Sequence, residues 1–374
     1  MVNVLPMSLS VILRGLVMAK RNMDSVVTIK DIAASCGVSI STVSNVLNGK
    51  KNKVSEEMAA KIRAEVERTG YRPNYLAKSL RAISTRTIGI IAEDLIMFST
   101  PSIIEGVMNC CEEHGFNVVI ENMRLFGRWS GKWMHDEALF QSALQPVLAK
   151  MDAMNVDGIL YVGGHEHTVS KLTSTNNLPI VMSYAIAADK EIPTFRLDDV
   201  SGGYDVTKYL VSKGHKRIGV IAGEYDNTHT VNRVIGIQRA MFEEGILFDP
   251  GLIEYATWNK AGGYKGMQKL IDKDITAVFC MSDAIASGAY AFLKEKGLEP
   301  GRDISVMGYD NQDISSFLTP EVTTMALPLE EIGYKAADKI IEMIDDPSAV
   351  DRDKTDIRIK SRLVERNSVK DISK

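Results

Sequence analysis

The sequence predicts a small all-α head (residues 28–73) joined to a two-lobed, doubly wound α/β body (residues 87–369). Three short helical patterns separated by turns occupy the head, and from residue 87 onward short β-branched runs alternate with amphipathic helical runs. The charge divides in the same way. Residues 20–81 carry 12 Lys and Arg against 6 Asp and Glu, whereas residues 82–374 carry 31 against 42. This split indicates that only the head is suited to a polyanion.

The first helical pattern begins after Thr28. Asp31 stands three residues later in a capping-box arrangement, and Gly37 supplies the turn that follows. The apolar residues recur at i, i+3, i+4 and i+7, which places them on one buried face: Ile29, Ile32, Ala33 and Cys36. A short helix with one apolar side is therefore expected here.

A second helix opens at Ser39 and ends near Asn48, and a third has Ser55 as its N-cap and stops at Gly70. The second helix points small polar side chains outward: Ser39, Ser41, Thr42, Ser44 and Asn45. A tight glycine turn between the first two of three short helices is the plan of a helix-turn-helix. The outward side chains suit hydrogen bonds to phosphates and base edges, which a generic helical cap would leave unexplained.

The local sequence TIKDIAASCGVSISTVSNVLNG, and the chain from Thr28 to about Val369, resembles the lactose-repressor/galactose-repressor (LacI/GalR) family of bacterial transcription regulators. The resemblance implies that the second helix enters the major groove of double-stranded DNA, with specificity set by Ile40, Ser41 and Asn45. From the pattern alone Ile40 is also open to a core role, because it lies three residues before Val43. An outward Ile40 would read a thymine methyl, and Asn45 could pair bidentately with an adenine.

Residues 74–86 are predicted to form a hinge helix and linker. Pro73 disfavours helix at Arg72, and the run from Tyr75 to Leu80 is too short to be a stable helix alone in water. In the family this helix pairs with its dimer mate in the minor groove, where a leucine matched by Leu80 wedges between base pairs. The alternative for residues 74–86 is a flexible linker between the domains without a hinge helix. The expected DNA contacts are Thr28, Ser39, Ile40, Ser41, Thr42, Ser44, Asn45, Asn48, Ala77 and Leu80.

Residues 1–27 are expected to be an unstructured leader or to follow a mis-called start codon. Arg14 interrupts the apolar run of residues 7–13, which is too short for a membrane span and has no clear cleavage site. The four cysteines form neither a disulfide framework nor a CxxC metal motif, which favours a reducing compartment. We therefore expect a cytoplasmic protein that makes no membrane contact.

The body reads as parallel, doubly wound sheets. Strand-like runs occupy residues 87–93, 116–121, 157–163, 179–184, 217–223, 276–281 and 304–310, and helical stretches occupy residues 103–114, 201–213, 232–245, 284–296 and 329–345. About 290 residues are more than a single hydrophobic core usually accommodates, so two lobes with a cleft between them are expected. The resemblance implies a periplasmic-binding-protein-like effector domain, and ligands of such sheets bind beyond the carboxyl ends of the strands.

Polar residues stand at several of these strand ends, among them Asp283. Acid, base and hydroxyl groups that converge beside an aromatic ring suit a polyol. The family's effector contacts match Phe98, Arg233, Trp258, Ser282 and Asp310, with a helix expected to begin near Arg233. Core roles for Phe98 and Trp258, and a surface role for Arg233, are the alternatives. The expected effector-binding set is Phe98, Ser183, Tyr184, Arg233, Trp258, Ser282 and Asp310.

The chain departs from the family pattern in two places. Residues 122–152, hereafter the insert, are a lengthened, Trp-containing and basic first-lobe loop before a helix, and Tyr184 stands where some sugar-binding members carry an acid. No Walker loop, GxGxxG or GxSxG motif is present, so an enzyme is not expected. His165 and His167 offer two metal ligands without a third and read as ordinary loop histidines. No metal and no cofactor are expected.

The sequence thus predicts a sequence-specific DNA-binding transcriptional regulator, a repressor controlled by a small ligand, with a sugar or sugar derivative expected. A pseudo-palindromic operator requires a homodimer. Closure of the cleft would misorient the paired hinges, and both signs of response, ligand-induced release and ligand-promoted binding, remain open. The carboxyl-terminal residues lack leucine heptads, so a tetramer is not expected. A freestanding solute-binding protein is the alternative, and the head opposes it.

Overall fold

The computed structural model describes residues 27–47, 49, 53–71, 84–346 and 355–373. The chain divides into two compact units, Met1–Ile83 and Ser84–Lys374, which contain the head and the body. The predicted DNA contacts Asn48, Ala77 and Leu80 lie outside the described residues, as do most of the leader and the hinge. No helix in the described part of the chain is long and apolar enough to cross a membrane.

Three helices form the head, as predicted: α1 (Ile29–Cys36), α2 (Ile40–Leu47) and α3 (Glu56–Thr69). The Asp31 carboxylate accepts hydrogen bonds from the Thr28 amide at 2.8 Å and from its hydroxyl at 2.7 Å, which fixes the start of α1. Gly37 ends α1 at φ 72°, a left-handed conformation that suits glycine. The buried core of the head consists of Ile32, Ala33, Cys36, Val43 and Ile62.

The body alternates strands and helices as the sequence predicts. In chain order its elements are β1 (Thr87–Ala92), α4 (Ser99–Glu113), β2 (Asn117–Asn122), α5 (Leu125–Trp129), α6 (Glu137–Ala153), β3 (Gly158–Val162), β4 (Thr168–Val169), β5 (Ile180–Ser183), β6 (Ile186–Ala187), β7 (Thr194–Leu197), α7 (Asp199–Ser212), β8 (Ile218–Ala222), α8 (Thr228–Glu243), β9 (Ile253–Tyr255), α9 (Lys260–Leu270), β10 (Ala277–Cys280), α10 (Asp283–Glu295), β11 (Ser305–Met307), α11 (Ile314–Phe317), β12 (Thr324–Ala326), α12 (Leu329–Asp345), β13 (Asp356–Ile359) and β14 (Arg362–Val364). Short 3₁₀ turns lie at Lys132–His135 and Pro250–Leu252.

Two parallel sheets define two lobes. The first lobe holds six strands in the order β13-β7-β5-β3-β1-β2, and the second holds four in the order β11-β10-β8-β9. Ile90 of β1 pairs with Ile120 of β2 on one side and Leu160 of β3 on the other, so β1 is bonded along both edges. Helices cover both faces of each sheet, which explains the nearly continuous apolar strands. The chain crosses between the lobes after β7, before α12 and after β13.

Helices α7 and α8 of the second lobe pack backbone against backbone. A Cβ atom at Gly203 of α7 would overlap the carbonyl oxygen of Arg233, and one at Gly236 of α8 would overlap the carbonyl oxygen of Val200. Each helix therefore needs a glycine where the other crosses it. This reciprocal contact fixes the register of the two helices.

The structure corrects two predictions about the body. Helix α8 begins at Thr228 rather than near Arg233, because the Asn227 side chain caps it by accepting from the amides of His229 and Thr230. The insert is not a loop but is mostly helical, with α5, a 3₁₀ turn and α6. Its apolar side chains pack on the first-lobe sheet and bury Trp133 to 1% exposure.

Candidate nucleic-acid interface and ligand cleft

The amino end of α2 presents a group of hydroxyls. The Ser39 hydroxyl lies 2.7 Å from that of Ser41 and 2.8 Å from that of Thr42, and it also accepts from the Thr42 amide at 3.1 Å. The first turn of a helix carries unpaired amides and the positive end of the helix dipole. Hydroxyls grouped at this end are suited to a phosphate oxygen.

Ile40 lies on the outer side of α2, with 42% of its surface exposed, while Val43 is fully buried. The structure therefore excludes the core alternative for Ile40. Ser41 is exposed, and Ser44 and Asn45 are half-buried on the same helix. Thr28 is exposed, but its hydroxyl donates to Asp31 within the capping box.

A cavity of about 880 Å³ lies between the lobes of the body. Phe98 and Ser102 of the first lobe line it, and Asp310 and the residues that follow it line it from the second. The crossing segments contribute the remaining wall through residues 326–331 and Arg362. The structure thus brings Phe98 and Asp310, which are 212 positions apart, to one cleft.

Arg233 is nearly fully buried in the second lobe, at 2% exposure. Its Nε donates to Asp199 Oδ1 at 2.7 Å, its Nη1 donates to the Met281 carbonyl at 2.6 Å, and its guanidinium lies 3.7 Å from the centroid of the Tyr309 ring. Burial opposes ionisation of Asp199, but Arg233 and His229 outweigh it and lower the pKa of Asp199 to about 2. Asp199 and Arg233 are therefore a charged pair.

Asp310 closes the strand end beside this pair and adopts φ 106°. Its carboxylate accepts a hydrogen bond from the Gln312 side chain at 3.0 Å. Burial raises the pKa of Asp310 to about 8, although nearby Arg233 works against the rise. Asp283 lies behind it and accepts from Thr324 and from the Gln312 amide, and burial raises its pKa to about 6. Asp310 can therefore exchange a proton near neutral pH.

His229 connects the two lobes. Its Nδ1 lies 2.7 Å from Asp199 Oδ2, and its Nε2 accepts a hydrogen bond at 3.3 Å from the backbone amide of Glu166 in the first lobe. Nε2 can accept only in the neutral imidazole, and in that form the proton lies on Nδ1, which donates to Asp199. The ring of Tyr184, also in the first lobe, lies 5.5 Å from the imidazole centroid. Burial tends to lower the pKa of His229, but Asp199 overcomes this and raises it.

Glu166, Asp199 and His229 could offer ligand atoms to a metal ion, since these atoms lie within 4.8 Å of one another. However, each carboxylate already pairs with an arginine. Asp199 pairs with Arg233 at 2.7 Å, and Glu166 pairs with Arg196 at 3.1 Å while also accepting from the Leu197 amide. A metal ion would have to displace two guanidinium groups. The arrangement is better suited to an ionic network than to metal coordination.

Four other predicted effector contacts are held within the fold, two of them by hydrogen bonds and two by packing. Ser282 caps α10 by accepting from the Ile285 amide at 3.1 Å, and Ser183 donates to the Tyr161 carbonyl at 3.3 Å. Tyr184 is buried at 3% exposure and adopts φ 55°. Trp258 packs against both core clusters of the second lobe, with Arg233 5.9 Å from its ring. All four lie near strand ends, but none lines the 880 Å³ cavity.

Among the described residues, five buried side-chain polar atoms have no hydrogen-bond partner. They are Thr100 Oγ1, Trp133 Nε1, His167 Nε2, Thr230 Oγ1 and Trp258 Nε1. His167 Nε2 lies 3.2 Å from Glu93 Oε1, but without hydrogen-bond geometry. Thr100, His167, Thr230 and Trp258 lie in the segments that follow β1, β3, β8 and β9, whereas Trp133 lies in the insert beyond α5. Because an unmade buried hydrogen bond costs about 1–3 kcal/mol, the location of these four atoms after strand ends favours a surface that binds a polar ligand.

Sequence reasoning missed Glu166, Asp199 and His229. Glu166 stands between the two histidines that the sequence offers as metal ligands, and its backbone amide contacts His229 while its carboxylate binds Arg196. Asp199 is the first residue of α7 and follows Asp198, the N-cap residue that comes directly after β7. A polar residue at a strand end was the signal in both cases. The same signal had already pointed to Asp310.

Comparison with known proteins matches both parts of the chain. Residues 28–74 match a family described as bacterial regulatory proteins, lacI family, and residues 207–369 match a periplasmic binding protein-like domain. The ribose operon repressor of Haemophilus influenzae is 32% identical over 327 residues, covering 86% of this chain and 93% of that protein. The transcriptional repressor CytR of Escherichia coli (strain K12) is 31% identical, covering 85% of this chain and 90% of that protein.

Solved structures share the fold. The lac repressor dimer bound to operator and the anti-inducer ONPF has a TM-score of 0.75 at 23% identity, covering 92% of this chain and 100% of that one. A LacI family regulator from Enterococcus faecium with bound ribose has a TM-score of 0.58 at 24% identity, covering 76% and 99%. A helix-turn-helix head and a two-lobed periplasmic-binding-protein-like body are therefore the fold of this chain.

Proposed function

Because this chain belongs to the LacI family of bacterial regulatory proteins, we propose that it represses transcription from a pseudo-palindromic operator and that a small ligand in its cleft controls operator affinity. The family makes it a DNA-binding transcriptional regulator. The observation that carries the ligand proposal is that four buried polar atoms without hydrogen-bond partners among the described residues lie in segments that follow strand ends, as Asp310 does, where ligands of such sheets bind. We further propose a cytoplasmic, non-enzymatic protein.

A neutral, hydroxyl-rich ligand is the class that we propose. The cavity lining contains four carboxylates, from Asp310, Asp313, Glu330 and Glu331, and one basic side chain, Arg362. Even with Asp310 protonated, the other three acids outnumber the single base, so such a wall repels a phosphate group and offers acceptors to hydroxyl donors. One relative is named a ribose operon repressor, and one structure of the same fold contains ribose. A sugar or a nucleoside is therefore favoured over a sugar phosphate.

The residues proposed to bind the ligand are those of the predicted set, together with two that the structure adds. Phe98 and Asp310 face the cavity, and Arg233 with Asp199 and His229 forms the charged floor beside them. Trp258 would supply a ring face and its indole N–H, which has no partner among the described residues. The wall of the ligand site would be supported from behind by three buried residues: Ser183, Tyr184 and Ser282.

A homodimer is proposed because a twofold-symmetric operator requires two heads. The lac repressor structure of the same fold is a dimer bound to operator. In this chain Phe317 of α11 is 78% exposed beside a groove of about 1070 Å³ that includes Tyr290 and Leu318. An exposed aromatic residue beside such a groove suits a subunit contact. Ala77 and Leu80 are proposed to contact the minor groove from each subunit.

In this mechanism the ligand acts by its differential affinity for two states of the body. Closure of the cleft moves the first lobe, which begins at Thr87 directly after the linker to the head. A hundredfold change in operator affinity requires the ligand to prefer one state by about 2.7 kcal/mol. The cross-lobe contacts of His229 are present in one of these states and are weakened in the other.

Fluorescence anisotropy of a labelled pseudo-palindromic DNA fragment from the gene's own neighbourhood tests this function. The full chain is titrated at fixed salt with ribose, a disaccharide, sugar phosphates and nucleosides. Specific binding altered by a neutral sugar or nucleoside supports the proposal and gives the sign of the response. A response to sugar phosphates alone contradicts the proposed ligand class. Binding no tighter than to random DNA contradicts the assigned role of the head.

Replacing Asn45 with alanine should change base preference at one symmetric operator position. The amide side chain can bond an adenine bidentately, and such a contact contributes about 1–3 kcal/mol of discrimination. Operator selection from a randomised DNA library measures the preference. Glu57→Gln on exposed α3 is the control, and it should leave the profile unchanged. An unaltered profile for Asn45→Ala would contradict direct readout by this side chain.

A further inference from the structure

The insert and the cross-lobe contact meet at one short segment, the 163–167 loop, which follows β3. Its successive side chains face opposite ways. His165 and His167 face the insert, whereas the Glu166 carboxylate binds Arg196 on the opposite side and the Glu166 backbone amide contacts the second lobe. The insert and the second lobe therefore hold the same few residues of backbone from two sides.

Aromatic packing joins the insert to the loop. The buried ring of Trp133 lies 5.2 Å from the His167 ring, edge to face, and 5.9 Å from the His165 ring. Phe140 lies 6.0 Å from His167, also edge to face. All three centroid distances lie in the range that aromatic pairs prefer. Such a pair contributes about 0.5–1.5 kcal/mol beyond the area that it buries. Trp133 is the insert residue that contacts both histidines.

The insert is itself fixed to the first lobe. Asp94, which follows β1, accepts hydrogen bonds from the amides of Phe126 at 3.2 Å and Gly127 at 3.3 Å. The Leu125 amide donates to the Glu93 carbonyl at 3.1 Å. These bonds hold α5 against the end of β1. Trp133 therefore acts on the loop from a fixed position rather than from a mobile segment.

On its other side, the loop contacts the second lobe through Glu166. The Glu166 amide donates to His229 Nε2 at 3.3 Å, a long hydrogen bond that a small displacement of the loop would break. The Glu166 carboxylate stays within the first lobe, bound to Arg196 and to the Leu197 amide. The backbone position of Glu166 thus decides whether the cross-lobe bond can form.

We propose that Trp133 is a positioning residue for the contact between the lobes. By packing on His165 and His167 it holds the Glu166 amide where His229 can accept its hydrogen bond, and so it favours the closed cleft. The insert thereby adjusts the response to ligand without touching the ligand. The part of this inference that concerns operator release rests on the function proposed above. The part that concerns the contact itself does not.

Hydrogen–deuterium exchange of the full chain without ligand tests the contact. Trp133→Ala should speed exchange of the Glu166 amide about tenfold, as should His229→Ala, which removes the acceptor. Trp133→Phe keeps an aromatic ring in place and should restore protection. Trp129→Ala is the matched control, because Trp129 belongs to the same insert but has no ring contact with either histidine. His165→Leu gives a second test should Trp133→Ala fail to fold.

Added to His229→Ala, Trp133→Ala should speed exchange at Glu166 no further, because the bond is already lost. Unchanged protection in both Trp133→Ala and His165→Leu would overturn the proposal. So would a uniform loss of protection along β1 and β3, which indicates a purely structural role. In the operator assay, Trp133→Ala should shift the half-effective ligand concentration several-fold. A parent protein without any ligand response would count against the proposed function, and the exchange result would stand.

Discussion

Replacing Arg233 with methionine should lower the free energy of unfolding of the body by about 3–5 kcal/mol, because this change removes one partner of a buried ion pair. Asp199 would keep its charge in a site from which water is excluded, and Asp310 would lose the nearest cation. The Met281 carbonyl would also lose its donor. Methionine retains most of the stem volume, so the loss would report on charge rather than on a cavity.

Urea unfolding followed by circular dichroism measures this effect. Arg239→Met is the matched control on the same helix, since the Arg239 side chain is 67% exposed and pairs with Glu243 at 3.1 Å. Exposed pairs of this kind contribute about 0–1 kcal/mol. Adding Asp199→Asn to Arg233→Met should recover part of the loss, because it removes the stranded charge. Equal effects of Arg233→Met and Arg239→Met would show that the ionic network does not stabilise the body.

Replacing Asp310 with alanine should abolish the response to ligand and leave operator affinity without ligand intact. Asp310 is the carboxylate of the cavity that also lies beside Arg233, so it is placed to bind hydroxyls of the ligand. The anisotropy titration with the ligand found for the parent protein measures the change. Asp272→Asn, an exposed acid of the same lobe, should respond like the parent protein. An unchanged titration for Asp310→Ala would remove this residue from the pocket.

Asp310→Asn should raise the melting temperature of the body increasingly as pH rises from 5 to 9. The pKa of Asp310 is about 8 in the folded body and about 3.9 in an unfolded chain. Between these values the folded state holds a proton that the unfolded state has released, so the contribution of this group to stability falls as pH rises and is lost above pH 8. Asparagine does not titrate. A difference in melting temperature that stays constant across this range would contradict a buried, titrating Asp310.

Local patterns predicted most of the fold. The capping box of Thr28 and Asp31 and the apolar period of α1 are properties of neighbouring residues, so they survive without tertiary information. Helix α12 was predicted at residues 329–345 and extends from Leu329 to Asp345. The insert was misjudged because its helices depend on packing: the burial of Trp133 requires the first-lobe sheet beside it. The start of α8 was missed because Asn227 was not recognised as a cap.

The ligand cleft could be predicted only in part. The rule that ligands lie beyond strand ends pointed to Asp310, and the family resemblance pointed to Phe98 and Arg233, but neither revealed the partner of Arg233. Asp199 lies 34 residues before Arg233 and joins it through the packing of α7 on α8. His229 reaches the first lobe only because the two lobes come together at Glu166. Such contacts depend on how distant segments of the chain are brought together, so no periodic pattern of residues in the sequence predicts them.

The reciprocal glycines of α7 and α8 make the floor of the cleft preorganised. Asp199 lies at the start of α7, and His229 and Arg233 lie on α8, so the fixed register of these helices keeps the three side chains aligned before any ligand arrives. A ligand therefore meets donors and acceptors whose conformational entropy was already lost on folding. The entropic cost of binding comes instead from ordering side chains at the entrance of the cleft, such as Phe98, which is 44% exposed. Substitutions at the entrance of the cleft can then change ligand affinity while Asp199, His229 and Arg233 keep their arrangement.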